Sequence, residues 1–277
     1  MIVFPNAKIN LGLNILRKRP DGFHDITSCF VPVPYTDVLE IIESKKFEFS
    51  SSGLAIPGHE KDNLCIKAYH LLQKDFNLPP VRIHLHKVIP IGAGLGGGSA
   101  DATFTLKCLN RMFDLFLDDF LLEEYASRLG SDCPFFVKNQ PVMAYGTGND
   151  FEEISLSLDD QYFVLVTPPI HVATVEAYAG ITPYEPKHNL KEILEKNSIT
   201  EWKGLIYNDF EKSIFSKYPA IGEIKEKLYE AHASYASMSG SGATVYGIFE
   251  QQTDITSLFS ENYQIWHSQN KEEGFSS

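Results

Sequence analysis

At 277 residues, with 43% hydrophobic and 22% charged residues, the chain has an ordinary globular composition, which argues against a disordered, fibrous or coiled-coil protein. Its 24 lysines and arginines against 36 aspartates and glutamates leave a net charge of −12, which argues against non-specific nucleic-acid binding but leaves room for a small anionic ligand held by local donors. Cys29, Cys65, Cys108 and Cys133 form no C-x-x-C pair, Met1–Asn10 lacks a secretory apolar stretch, and no apolar run approaches the ~20 residues that span a bilayer. The expectation is a soluble cytoplasmic protein with reduced thiols and no membrane partner. From Val3 to Ile15 apolar residues fill the odd positions and Asn6, Lys8, Asn10, Gly12 and Asn14 the even ones, so this is a period-2 strand with one apolar and one polar face. Pro20-Asp21-Gly22 then makes a turn, and Phe23 and His24 stand where a hairpin re-enters the sheet. Strands follow at 37–42, 46–49 and 81–87, with a helix at 63–77 between the last two. A glycine-rich loop comes next, then helices at 100–113 and 121–129, the second closed by Gly130. Polar, turn-rich sequence around residues 145–160 predicts a domain boundary near residue 158, giving domains 1–158 and 159–277. Beyond it the pattern gives a strand at 162–166, helices near 175–179, 189–195, 209–213 and 221–231, and a strand at 244–249. The polar tail after Gln269 reads as frayed.

Glycine fills five of the seven positions from Gly92 to Gly98. Glycine lets the backbone take positive φ and approach a ligand without a Cβ, so successive N–H groups and the N-terminus of the next helix can converge on one anion. That is the geometry of a polyphosphate cradle; a close-packed turn is the plain alternative. A dinucleotide fingerprint would need an acidic residue at the end of a second strand ~20 residues on, and Asp118-Asp119 stands in helical sequence instead. A Walker A loop would close on Gly-Lys-Ser/Thr, which is missing. Ser99 and Asp101 open the next helix, as caps or as functional groups.

Three asparagines beside Lys8 on a strand face are poor strand formers that mere hydration does not call for, whereas a bound ligand would. Asp132 precedes Cys133-Pro134-Phe135-Phe136 and reads either as a helix N-cap or as a base beside an apolar cluster, kept ionised by a cation for which Lys8 is the candidate. Met238-Ser-Gly-Ser-Gly-Ala-Thr244 offers a second close backbone approach at Gly240 and Gly242.

Taken in order, Ala7-Lys8-Ile9-Asn10-Leu11, Arg19-Pro20-Asp21-Gly22-Phe23-His24, Ile89 to Ala102, Gly130 to Phe136 and Met238 to Thr244 resemble the GHMP family of small-molecule kinases over most of the chain. The Asp-Gly-aromatic-His turn and Gly-Ser-Asp-x-Pro-Phe-Phe point to a branch whose acceptor is a cytidine-diphosphate ester of methylerythritol, in the non-mevalonate route to isoprenoid precursors. The resemblance implies an α+β, two-domain GHMP kinase fold with a left-handed βαβ crossover and an active site in the inter-domain cleft. It also implies a monomer or weak homodimer that uses ATP and Mg²⁺. ATP would lie along Pro90, Gly92, Ala93, Gly94, Leu95, Gly96, Gly97, Gly98, Ser99 and Ala100, with Asn63 and Lys87 near the nucleoside and Ser99 helping to hold the metal. Asp132 would take the proton from the acceptor hydroxyl and Lys8 would assist it. His24 would read the cytosine edge, Phe23 and Tyr178 would stack on the ring, and Asn10, Thr174, Gly240 and Gly242 would bind the rest of the acceptor. Phe23 departs from the tyrosine usual there, so stacking survives without that hydroxyl's hydrogen bond. Two rivals compete. Another GHMP kinase, acting on homoserine, mevalonate or a sugar, is disfavoured by the His24 turn, and a nucleotide-binding module without turnover has no use for Lys8 and Asp132.

Overall fold

The computed structural model describes residues 1–268, so the tail after Gln269 lies outside the described residues. The first predicted strand is two, β1 (Ile2–Val3) and β2 (Asn6–Lys18), interrupted at Phe4-Pro5, where proline removes a donor that a ladder needs. Its even positions are not a solvated face. Asn6, Lys8, Asn10 and Asn14 are buried, none above 9% exposed, and their polar groups are paired inside the protein. After the turn at Gly22, whose φ is +89°, come β3 (His24–Thr36), β4 (Val38–Glu43), β5 (Glu48–Gly53), α1 (Leu64–Phe76) and β6 (Val81–Lys87). They are followed by α2 (Gly97–Met112), α3 (Asp119–Ser127), α4 (Phe135–Lys138), β7 (Val142–Tyr145), β8 (Asp150–Glu153) and β9 (Tyr162–Thr167). The chain continues with α5 (Thr174–Ala179), α6 (Leu190–Lys196), α7 (Glu211–Lys217), α8 (Pro219–Glu230), β10 (Tyr235–Met238), β11 (Val245–Phe249) and β12 (Gln264–His267). Among the described residues no helix is long and apolar enough to cross a membrane.

Residues 1–8, 34–91 and 96–140 pack as one compact unit; residues 9–33, 92–95 and 141–268 pack as a second. The units are interleaved along the sequence.

In the first unit the sheet order is β1-β4-β6-β5, antiparallel except for the parallel β5–β6 pair, which is joined through α1. Alternation along β6 sends Val81, Ile83 and Leu85 into a core shared with Leu39, Ile41 and the α1 stripe Cys65, Ala68, Tyr69 and Leu72. Asn63 caps α1 by accepting from Cys65 N at 2.9 Å, and Asn77 closes it in the left-handed region.

In the second unit one antiparallel sheet runs β10-β11-β9-β12 and a second runs β2-β3-β7-β8. β9 and β11 bury residues on both faces, and Ile221, Ile224 and Leu228 of α8 pack on Val245 and Phe249. β10, buried at all four positions, shows no alternation for the sequence to display. The predicted helix at 209–213 begins later, at Glu211, because Asn208 bridges to Leu13 and Asp209 and Phe210 form the turn ahead of it.

Candidate active site

The glycine-rich loop enters α2 through Gly96, whose φ of +68° turns the chain so that the helix begins at Gly97, three residues before the sequence predicted. Each glycine has its own reason. A Cβ on Gly96 would stand 3.1 Å from Lys8 Cγ and from Phe136 Cζ, and one on Gly97 would stand 2.9 Å from Ile89 Cγ2 and 3.0 Å from Lys87 Nζ. A Cβ on Gly98 meets nothing within 4 Å, its φ lies outside the left-handed region, and the residue is exposed. Neither packing nor conformation asks for glycine there.

Lys8 and Asp132 come together beside this helix start, Nζ to Oδ2 at 3.4 Å, with the Lys8 side chain 4% and the Asp132 side chain 35% exposed. Asp132 is not an N-cap. It lies in a turn ahead of Pro134, and α4 begins at Phe135. Side chains spaced four apart on α2 hold that turn. Thr103 Oγ1 donates to Cys133 O at 2.7 Å and Lys107 Nζ to Val137 O at 2.9 Å. Burial pushes the Cys133 thiol up to about 11 and pulls Lys107 below its ordinary value.

Lys87, expected near a nucleoside, has its ammonium enclosed. The side chain is 4% exposed and pairs with Asp37 and, at 2.7 Å, with Asp101 Oδ2. Asp37 Oδ1 also accepts from Val88 N at 2.6 Å and Ile89 N at 2.8 Å. This buried trio therefore ties the end of β6 to the first turn of α2, gripping both flanks of the loop. Burial lowers Lys87, but its two carboxylates outweigh this and raise it. Burial pushes the Asp101 carboxyl up to about 7 against the pull of Lys87. The sequence could not show this trio, because its members lie 14 and 50 residues apart. Asn63 likewise has its side-chain oxygen engaged in the α1 cap. Pro90 and Ala100 are buried beside the loop.

In the second unit, Gly92–Leu95 meets the Met238–Thr244 segment. Ser239 Oγ donates to Gly94 O at 2.8 Å and Thr244 N to Ala93 O at 3.2 Å. Gly240 and Gly94 approach so closely that a Cβ on Gly240 would stand 3.2 Å from Gly94 Cα. Gly240 and Gly242 both take positive φ. Asn10 is near them, its Nδ2 donating to Ser28 Oγ at 2.9 Å and its carbonyl accepting from Tyr246 OH at 2.7 Å. Thr174 Oγ1 lies 3.4 Å from Ser241 Oγ. His24 and Tyr178 stack, ring centroids 4.6 Å apart, with Phe210 edge-on to Tyr178 at 4.9 Å. Burial, then the charge of Lys18, lowers the His24 pKa, which favours a neutral imidazole with one donor and one acceptor. Phe23 is 61% exposed.

Among the described residues no three His, Cys, Asp or Glu side chains form a metal cage. The Ser99 hydroxyl, in the first turn of α2, and the Asp132 carboxylate are hard oxygen donors. They suit a Mg²⁺ that takes most of its ligands from phosphates and water.

The family model described as GHMP kinases N terminal domain matches residues 63–140, and the one described as GHMP kinases C terminal matches residues 190–265. The chain is 53% identical over 262 residues to the 4-diphosphocytidyl-2-C-methyl-D-erythritol kinase of Bacteroides fragilis, covering 93% of this chain and 95% of the relative. It is 50% identical over 263 residues to the enzyme of the same name from Cytophaga hutchinsonii, covering 95% and 96%. Among solved structures, a 4-(cytidine 5'-diphospho)-2C-methyl-D-erythritol kinase is similar at a TM-score of 0.77 and 29% identity over 90% of each chain. The mevalonate kinase of Methanococcus jannaschii shares the fold at a TM-score of 0.65 and 17% identity, over 96% of this chain and 97% of that one. With both family domains matched and such relatives at half identity along nearly the whole sequence, the chain belongs to the GHMP kinase family.

Proposed function

We propose that the chain is an ATP-dependent kinase that phosphorylates the 2-hydroxyl of 4-diphosphocytidyl-2-C-methyl-D-erythritol, giving the 2-phosphate and ADP on the non-mevalonate route to isoprenoid precursors. The observation that carries this reading is the Lys8–Asp132 pair at 3.4 Å beside the glycine-rich start of α2. The amides of the loop and of the helix N-terminus bind the triphosphate. Asp132 accepts the proton of the acceptor hydroxyl as its oxygen forms a bond to the γ-phosphorus, and the bond to the β-phosphate oxygen breaks. Lys8, paired with Asp132 at 3.4 Å, orients the hydroxyl and offsets charge on the transferring group. Ser99 would help to hold a Mg²⁺, which would supply further neutralisation of that charge. On the acceptor side, neutral His24 pairs with the cytosine edge and Phe23 and Tyr178 flank the ring, each base–aromatic contact being worth about 1–3 kcal/mol. Asn10, Thr174, Gly240 and Gly242 take the diphosphate and polyol. The reading also includes work in the cytoplasm as a monomer or weak homodimer.

The deciding assay follows ADP release with 4-diphosphocytidyl-2-C-methyl-D-erythritol beside homoserine and mevalonate. Turnover with either of the latter alone refutes the assigned acceptor. Asp132→Asn is expected to leave ADP affinity within a few-fold and to cut kcat by about 10²–10⁴-fold. Unaltered kcat removes Asp132 from the mechanism.

A further inference from the structure

Nothing in the sequence marks Asn208, which bridges to Leu13 just ahead of the turn that leads into α7, yet every polar atom of its side chain is engaged. The residue is 3% exposed. Its Oδ1 accepts from Phe210 N at 3.0 Å, and its Nδ2 donates to Met238 O at 2.7 Å and to Gly240 O at 2.8 Å. The turn is itself anchored to β2, with Leu13 N donating to Tyr207 O and Asp209 N to Leu13 O, both at 2.9 Å. Three residues on, Glu211 Oε1 accepts from Met238 N and from Ser237 Oγ, both at 2.9 Å. The N–H and the carbonyl of Met238 are thus both held from one short stretch, just where β10 gives way to Ser239-Gly240-Ser241-Gly242, a segment with little stiffness of its own.

That segment in turn holds Ala93 and Gly94 through Ser239 Oγ and Thr244 N. The contact leaves no slack, because a Cβ on Gly94 would fall 2.0 Å from Ser239 O. A displacement of the Ser239–Gly240 backbone therefore has to be passed on to the loop.

We propose that Asn208 is a positioning residue for the nucleotide: by holding the Met238 and Gly240 carbonyls it keeps the 238–244 segment against Ala93 and Gly94 and so fixes where the loop amides point. It touches no substrate. The inference rests on the reading of Gly92–Ser99 as the phosphate cradle. Misplacing a reacting group by about 1 Å can cost ~10²-fold in rate, so such a hold matters even at a distance from the chemistry.

The test is steady-state kinetics with ATP and 4-diphosphocytidyl-2-C-methyl-D-erythritol on three variants. Asn208→Asp keeps the volume and the Oδ1 acceptor but sets an oxygen against two carbonyls. It is expected to raise the KM for ATP ~10-fold or more while the KM for the acceptor stays within about twofold. Ser239→Ala removes only the hydroxyl that reaches Gly94 and is expected to give the same split, about threefold. Unchanged ATP KM in both, with only a lower melting temperature, overturns the proposal and makes Asn208 a residue of the fold alone. If Asn208→Asp does not fold, Ser239→Ala decides by itself. Gly98→Ala reports on the underlying reading. If it raises the ATP KM while the other two do not, only the hold through Asn208 falls; if all three leave it unchanged, the cradle falls as well.

Discussion

Gly98 shows how a single residue separates a structural requirement from a functional one. A glycine within a helix costs about 0.5–1 kcal/mol against alanine, and here no clash or positive φ offsets that cost. Gly98→Ala is therefore expected to stabilise the protein by about 0.5–1 kcal/mol in chemical denaturation and, on the proposed reading of the loop as a phosphate cradle, to raise the KM for ATP several-fold by placing a methyl in the cradle. A gain in stability without loss of ATP affinity would leave the glycine unexplained. At this scale the sequence was readable where chemistry demands an unusual residue type. Asparagines on a strand, five glycines in seven and an aspartate beside Phe135 and Phe136 all stood out. It was unreadable where a common residue gains its role from burial. Nothing in the sequence shows that Asp37 and Asp101 enclose Lys87, and Asn208 has no neighbour in sequence that hints at Met238.

At the scale of elements, the Asp37–Lys87–Asp101 trio links the segment before β4, the end of β6 and the first turn of α2. Facing Asp101 are Lys87, Asp37 and the Cys65 thiol, so two carboxylates share one buried ammonium. The Asp101 carboxyl titrates near about 7 in the folded protein against an ordinary 3.8, so folding favours its protonated form. Its contribution to stability is complete below about pH 4 and is lost as pH rises through about 7. Asp101→Asn cannot ionise, and its melting temperature is expected to fall less than that of the parent between about pH 5 and 8. Parallel curves would mean that Lys87 keeps Asp101 ionised across the range. Periodic elements were legible for a local reason: α1 was foreseen almost to the residue because its stripe and both asparagine caps are written in sequence. β10, enclosed on both faces, and the early start of α2 were not, since one lacks alternation and the other depends on a glycine turn of positive φ.

For the molecule as a whole, the charge of −12 opposes the approach of nucleotide even though local groups bind it. Raising ionic strength from about 0.01 to 0.15 M shrinks the screening length from about 30 to 8 Å. The expectation is that kcat/KM for ATP rises over this window and then levels; a steady fall would show that nearby cations, not the net charge, govern encounter. Family membership was legible because its signature segments run from residue 7 to residue 244 in order, but the interleaving of the two units was not, since composition marks turns and is silent on which strands pack together.

All four thiols are unpaired and buried, Cys65, Cys108 and Cys133 in the first unit and Cys29 in the second. Burial raises each of them, Cys108 and Cys133 to about 11, so the native protein offers an alkylating reagent almost no thiolate. Every cysteine is thereby a built-in clock for opening. In mild urea, peptide mapping of iodoacetamide uptake is expected to give one shared rate for the three and a separate one for Cys29, dating the loosening of each half without any engineered probe.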